Sequence, residues 1–274
     1  MNVVKIVSLD DDALVPYARL TERQLQNTLH PEEGLFICES IKVIRVALSR
    51  GLEPVSFLCE EKFLPQVEEV MLQDGTRQRC DVQVYTASRE VLKSLTGYEL
   101  SRGVLCCMRR PELPKVGEVL SGMRRVAVLD GVVNSENTGA IFRAAASLGM
   151  DGVLLTRTCC DPLNRRACRV SMGTVFQLPW TFLDSYSQLK AAGFAIVAMA
   201  LTDRSVPIDA SELKGIEKMA VVLGTEGDGL SDSVLRMADY VARIPMQRGV
   251  DSLNVAAAAA VAFWELGKYS SAVG

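Results

Sequence analysis

From Arg124 onward the chain spells strand and helix by turns, and no other feature narrows its fold as much. Apolar runs at 126–129, 152–156, 195–200, 219–223 and 240–244 have strand length. Helical spacing covers 138–148, 164–171, 184–192, 231–237 and 252–267. Such alternation implies an α/β fold, a mostly parallel sheet with helices on both faces. Ligands on sheets of this kind bind beyond the carboxyl ends of the strands. Three unusual segments lie at such ends: 134–143, 224–230 and 245–254.

Residues 1–110 form a smaller α/β unit, with strands at 34–38, 55–59, 82–85 and 103–108 and helices at 40–49 and 64–72. Ile41, Ile44 and Leu48 share one face of the first of these helices. Pro111-Glu-Leu-Pro-Lys-Val-Gly117 reads as a connection. The expected division is therefore a small α/β domain at 1–110, a linker at 111–123 and a second domain at 124–274, which suits a length of 274 residues.

Composition removes several classes. With 49% hydrophobic and 23% charged residues the chain is globular, and no apolar run is long enough for a membrane span. The N-terminus carries one Lys before Asp10-Asp11-Asp12, unlike a signal or transit peptide, so a cytoplasmic location is expected. Eight cysteines without a Cys-x-x-Cys pair, and a single histidine, His30, argue against a metal site. They equally argue against a Ser-His-Asp or Cys-His enzyme. The net charge of −3 is not that of a generic nucleic-acid binder, but Arg157, Arg165, Arg166 and Arg169 cluster with Asp161 the only acid among them. A solvated face can be spelled the same way.

The first unusual segment is Asn134-Ser-Glu-Asn137-Thr-Gly139-Ala-Ile-Phe-Arg143. Asn137 is placed to cap a helix and Gly149 to end it. Ile141, Ala145 and Leu148 form the core stripe, and Arg143 points away from it beside Gly139, Ala140 and Ser147. A guanidinium on so bare a face can fork onto a phosphate oxygen, although an ordinary surface arginine looks alike. In the second segment, Gly224, Gly227 and Gly229 let the backbone approach a ligand closely. Neither a dinucleotide fingerprint nor a phosphate-binding loop is present, and Glu226 and Asp228 disfavour a pyrophosphate. In the third, Ile244-Pro245-Met246 ends the last strand, and Asp251-Ser252-Leu253-Asn254 enters a helix that begins Val255 and five alanines. Polar residues ahead of side chains that small mark a place where a ligand or another backbone comes close; a plain capped helix begins alike.

In this order the segments resemble the SpoU/TrmH-type RNA ribose 2′-O-methyltransferases of the knotted SPOUT superfamily, over about 124–268. The matching motifs are Asn137-Thr-Gly139-Ala-Ile-Phe-Arg143, the loop from Gly224 to Leu230, and Ile244-Pro-Met through Ser252-Leu-Asn-Val255, with Ser171 to Pro179 between the first two. Phe36-Ile-Cys-Glu39-Ser-Ile-Lys42 is similar to the small RNA-binding domain that often precedes them. The resemblance implies S-adenosylmethionine as cofactor, a C-terminal trefoil knot, a homodimer packed through that knot, and a ribose 2′-O-methyl product. The knot departs from the usual rule against threaded chains.

Residue by residue, Arg143 matches the catalytic arginine, thought to help remove the 2′-hydroxyl proton while contacting an RNA phosphate. A guanidinium is a poor base, so positioning and phosphate neutralisation are its expected work. Asn137, Ser252 and Asn254 match residues that orient Arg143 and substrate, and Glu226 matches the second-motif acid. Leu223, Gly224, Glu226, Gly227, Ile244, Met246 and Leu253 are the expected cofactor contacts, and Arg165, Arg166 and Arg169 the expected RNA contacts. Asn134-Ser-Glu departs from the Pro- or Gly-containing turns common before the first motif, which puts the way that loop presents RNA in doubt. The expected reaction is 2′-O-methylation of RNA, ribosomal in preference to transfer RNA. A non-catalytic RNA-binding protein retaining the fold is the alternative, and intact Arg143, Glu226, Ser252 and Asn254 speak against it.

Overall fold

The computed structural model describes residues 2–8, 10–73, 82–96, 103–225, 227 and 229–267. Contacts divide the chain into two units: Met1–Glu112 with Leu163–Phe176, and Leu113–Pro162 with Gln177–Gly274.

The strands of the first unit are β1 (Asn2–Lys5), β2 (Leu35–Glu39), β3 (Pro54–Cys59), β4 (Gln83–Thr86) and β5 (Val104–Arg109). They lie in the order β1-β4-β3-β5-β2, with β5 antiparallel to both neighbours and the other pairs parallel. The helix Ile41–Ser49 buries Val43, Ile44, Ala47 and Leu48, while Ile41 stays partly exposed. β1 and the helices Glu22–Gln26 and Arg89–Thr96 lie outside the expected elements.

Segment 163–176 belongs to this unit although it stands among second-unit residues in sequence. Its partner is Glu39, which is 6% exposed at the end of β2. Arg165 Nε and Arg169 Nη1 each donate to one oxygen of that carboxylate, both at 3.1 Å. A carboxylate so enclosed needs nearby cations, and these two supply the charge. Gly173, at φ 86°, fits closely beside Val46; an added Cβ would stand 2.9 Å from the valine Cβ. The sequence offers one connection at 111–123, whereas the chain passes between the units again around 162–163 and 176–177.

The second unit carries β6 (Arg125–Leu129), β7 (Gly152–Leu155), β8 (Trp180–Phe182), β9 (Ala195–Met199), β10 (Val206–Pro207), β11 (Met219–Leu223) and β12 (Tyr240–Arg243). All pair in parallel, in the order β10-β12-β9-β11-β6-β7-β8. This is the α/β architecture that the alternation implied, with β8 and β10 added at the edges. Val126, Val128, Ile196, Ala198, Ala220 and Val222 alternate into one buried core beneath Leu189, Phe194 and Val234. Part of the expected linker also joins that core: the helix Val116–Leu120 buries Val116, Val119 and Leu120, whose spacing suits one helical face.

Candidate active site

Three central strands end in step. Leu223 pairs with Leu129 on one side and Met199 on the other, and Ala242 pairs with Met199. The loops after β6, β9, β11 and β12 consequently leave the same edge of the sheet.

The helix Ser135–Ser147 begins there. Its cap is Asn134, whose side-chain oxygen accepts from the N–H groups of Glu136 at 2.8 Å and Asn137 at 3.1 Å. The cap therefore lies three residues ahead of the expected Asn137, which sits in the first turn and is 9% exposed. The second helix, Val255–Leu266, is capped by Asn254, whose Oδ1 accepts from Ala256 and Ala257. With that oxygen committed to backbone donors, the amide nitrogen must face the other way. It donates to Asn137 Oδ1 at 3.1 Å, joining the two helix starts.

The far ends of these helices also meet. Gly149, at φ 84°, follows the first helix, and Met150 N donates back to Ala145 O at 3.1 Å, closing a Schellman turn. A Cβ on Gly149 would lie 2.8 Å from Gly267 O, and one on Gly267 would lie 2.3 Å from Leu148 O. Glycine at both positions lets the backbones touch.

Arg143 is exposed, with Glu136 and Ser147 on the same side of its helix. It lies six residues beyond Asn137, about 9 Å along the axis and roughly a third of a turn around it. Among the described residues no hydrogen bond joins its guanidinium to Asn137, Ser252 or Asn254. The structure thus brings the two asparagines together and leaves Arg143 facing outward.

A cavity of about 800 Å³ opens at the carboxyl ends of β9, β11 and β12. Leu223, Gly224, Gly227, Ile244, Met246 and Leu253 all line it, as do Ser252 and Asn254. Glu226, expected beside them, lies outside the described residues. The glycine loop turns back on itself: Thr225 bridges to Gly229, and a Cβ on Gly224 would stand 2.7 Å from Gly229 carbonyl carbon. The size suits a small-molecule ligand, and polar and apolar groups share the lining about equally. Thr202 and Arg243 also border it. No motif marked them; their signal is position alone, immediately after the carboxyl ends of β9 and at the end of β12.

A second cavity of about 870 Å³ involves Arg124, Arg125, Asp151, Lys214, Glu217 and Trp264, around the strand starts. Its half-buried cation is already engaged. Arg125 donates to the carbonyls of Leu266 (3.0 Å), Arg124 (3.1 Å), Glu217 (2.7 Å) and Ile216 (2.8 Å). Burial lowers its pKa from the usual arginine range. Topology therefore favours the first cavity as the ligand site despite its slightly smaller volume.

The expected RNA contacts separate. Arg166 is exposed, whereas Arg165 and Arg169 share Glu39. Arg157 pairs with Asp184 at 3.0 Å and lies over the Phe182 ring. His30 is exposed beside Glu32. Among the described residues no group of three or more His, Cys, Asp or Glu side chains could hold a metal ion. No described helix is long and apolar enough to cross a membrane.

Residues 124–264 match the SpoU rRNA Methylase family. An uncharacterized tRNA/rRNA methyltransferase of Mycobacterium bovis is 36% identical over 270 residues, covering 97% of this chain and 92% of that protein. The 23S rRNA (guanosine(2553)-2′-O)-methyltransferase of Bacillus subtilis is 30% identical over 207 residues, 73% of this chain and 80% of its own length. The crystal structure of an AdoMet-bound rRNA methyltransferase from Sinorhizobium meliloti superposes with a TM-score of 0.82 at 25% identity, covering 96% of this chain and 97% of that one.

Proposed function

Since the chain belongs to the SpoU rRNA methylase family, we propose that it methylates a ribose 2′-hydroxyl in RNA, with ribosomal RNA the favoured substrate. S-adenosylmethionine is the cofactor, and the cavity at the ends of β9, β11 and β12 is its site. The observation that carries this reading is the joining of Asn254 to Asn137 at the rim of that cavity. It sets the first and last motifs of the resemblance side by side.

The residues fit the cofactor. Leu223, Ile244, Met246 and Leu253 offer apolar surface for an adenine ring, and the glycine loop, folded back on Gly224, brings backbone to the cavity wall. Asp251, also at the cavity, gives a carboxylate for a cationic ligand. When bound, the sulfonium supplies an electrophilic methyl group. The chain's own work is to align a ribose oxygen with that methyl and to accommodate one released proton.

Asn137 and Asn254 hold each other in one orientation, so the pair meets substrate with little reorganisation. Ser252 stands two residues ahead of Asn254 on the exposed approach. We assign Arg143 to an RNA phosphate near the target nucleotide, which suits its outward position. Glu226 is proposed as the acid of the second motif. Of the three expected RNA contacts, Arg166 is the exposed one; Arg165 and Arg169 could add RNA contacts only in competition with Glu39.

A homodimer is part of the same reading, as is a knotted C-terminal path. Ala257, Val261 and Trp264 fall on one helical face, with Val261 39% and Trp264 58% exposed, a stripe suited to a second copy of the chain.

The test is direct. The full chain is incubated with S-adenosylmethionine carrying a labelled methyl and with total RNA, which is then digested to nucleosides. Label in 2′-O-methylnucleosides is the expected result. Label confined to bases, or none taken up by folded protein, overturns the proposal.

A further inference from the structure

After β9 the chain makes a tight turn whose polar groups are nearly all used. Ser205 N and Oγ both donate to Thr202 O, at 3.0 and 2.7 Å, and Thr202 N donates to Ser205 Oγ at 3.3 Å. From the end of β12, Arg243 Nη1 donates to Ser205 O at 3.1 Å and lies 3.4 Å from its hydroxyl. The turn is therefore held from within and from the neighbouring strand.

One group is left over. Thr202 Oγ1 is buried and has no hydrogen-bond partner among the described residues, although Thr202 borders the proposed cofactor cavity. Buried hydroxyls are normally paired, and an exception calls for a physical reason. A rotation of about 120° about χ1 carries the threonine hydroxyl to the place its methyl held, and the methyl to the hydrogen's place, with the backbone unmoved. The fixed turn thus presents a side chain that can offer its hydroxyl to a ligand in the cavity without rearranging the loop.

We infer that Thr202 is a cofactor-contacting residue whose hydroxyl hydrogen-bonds to bound S-adenosylmethionine, an assignment that rests on the cofactor site proposed above. The adenosine and amino-acid portions carry both donors and acceptors, and a hydroxyl can serve either.

The probe is S-adenosylhomocysteine, titrated calorimetrically into the full chain and into Thr202→Val and Thr202→Ser. Valine keeps the shape and removes the hydroxyl; serine keeps the hydroxyl. Thr202→Val should bind about fivefold more weakly, the scale of one net hydrogen bond, and Thr202→Ser should stay within about twofold of the original. The Tm of ligand-free Thr202→Val should be unchanged or higher, since no protein partner loses a bond. Equal affinity for Thr202→Val and the original chain would overturn the assignment, as would a lower ligand-free Tm with affinity intact, which marks a merely structural threonine. Failure of the folded original chain to bind the probe would instead remove the cofactor site itself. A second arm needs no substituted protein in the readout. The threonine-methyl NMR signal that disappears in Thr202→Ser identifies the residue, and in the original chain it should shift on adding the probe. An unmoved signal at saturation also counts against the contact.

Discussion

The two ends of the seven-stranded sheet differ in what their polar groups are doing. At the strand starts, charged side chains are spent on backbone. Asp151 accepts from the N–H groups of Arg124 and Arg125, both at 2.8 Å, and Asp239 accepts from Ile196 N at 2.7 Å. Lys218 reaches Ala192 O, and Arg125 serves four carbonyls. At the strand ends there are two asparagines that fix each other and a buried hydroxyl that has no partner among the described residues. Cavities of about 870 and 800 Å³ stand at these ends, so volume does not separate them. At the strand starts the charged groups are consumed by backbone; at the strand ends most polar groups are paired as well, and the buried Thr202 hydroxyl is an exception.

The widest break in this comparison comes from Arg125→Ala. Four carbonyls would lose a half-buried cation, and a stability loss of about 3 kcal/mol is expected from charge-assisted hydrogen bonds of this kind. Denaturant unfolding measures it. Cofactor affinity of the fraction that remains folded should be unchanged; a weakened affinity would make the strand-start cavity part of the site. Arg143→Ala should behave oppositely. Methyl transfer should fall by about 100-fold, comparable with losing one preorganised donor, while Tm holds because the side chain is exposed. Activity within a few-fold of the original chain would remove Arg143 from its assigned role.

Asn254→Asp separates the capping and linking functions of one side chain. The carboxylate can still cap the helix, but it cannot donate to Asn137, so activity should drop with a stability change within about 1 kcal/mol. Loss of stability without loss of activity would make the asparagine pair a structural tie. The smallest effect belongs to Asp239. Burial pushes its carboxyl upward, but Lys190, through a hydrogen bond and its charge, and the Ile196 N–H outweigh this and hold it below the usual range. A depressed folded value contributes stability above the unfolded value of about 3.9, and that contribution is lost as pH falls through the folded value. Asp239→Asn should therefore lower Tm at neutral pH, with the difference narrowing below about pH 4; a constant difference would contradict the pairing.

Much of the second unit was legible because its strands are apolar and separated by helical spacing. Residues 219–223 form the expected strand without change of bounds, and the remaining expected strands of that unit differ by one residue at an end. β10 is two residues long, too short for any pattern, and β8 is a three-residue strand that begins just after Pro179. Asn134 and Asn137 are both good caps, and spacing alone could not choose the one whose oxygen meets two backbone donors. The arginine cluster misled for a different reason. Its principal acid is Glu39, more than a hundred residues away, and a local count of charges cannot include it. Thr202 was invisible because an unpaired hydroxyl is a property of the folded turn.

Amide hydrogen exchange with and without S-adenosylhomocysteine tests the contrast between the two sheet ends most directly. Protection should rise in peptides covering 200–205, 223–230 and 244–255, and stay unchanged in those covering 122–125, 214–217 and 264–267. Protection confined to the second set would show that the ligand occupies the strand-start cavity and contradict the account.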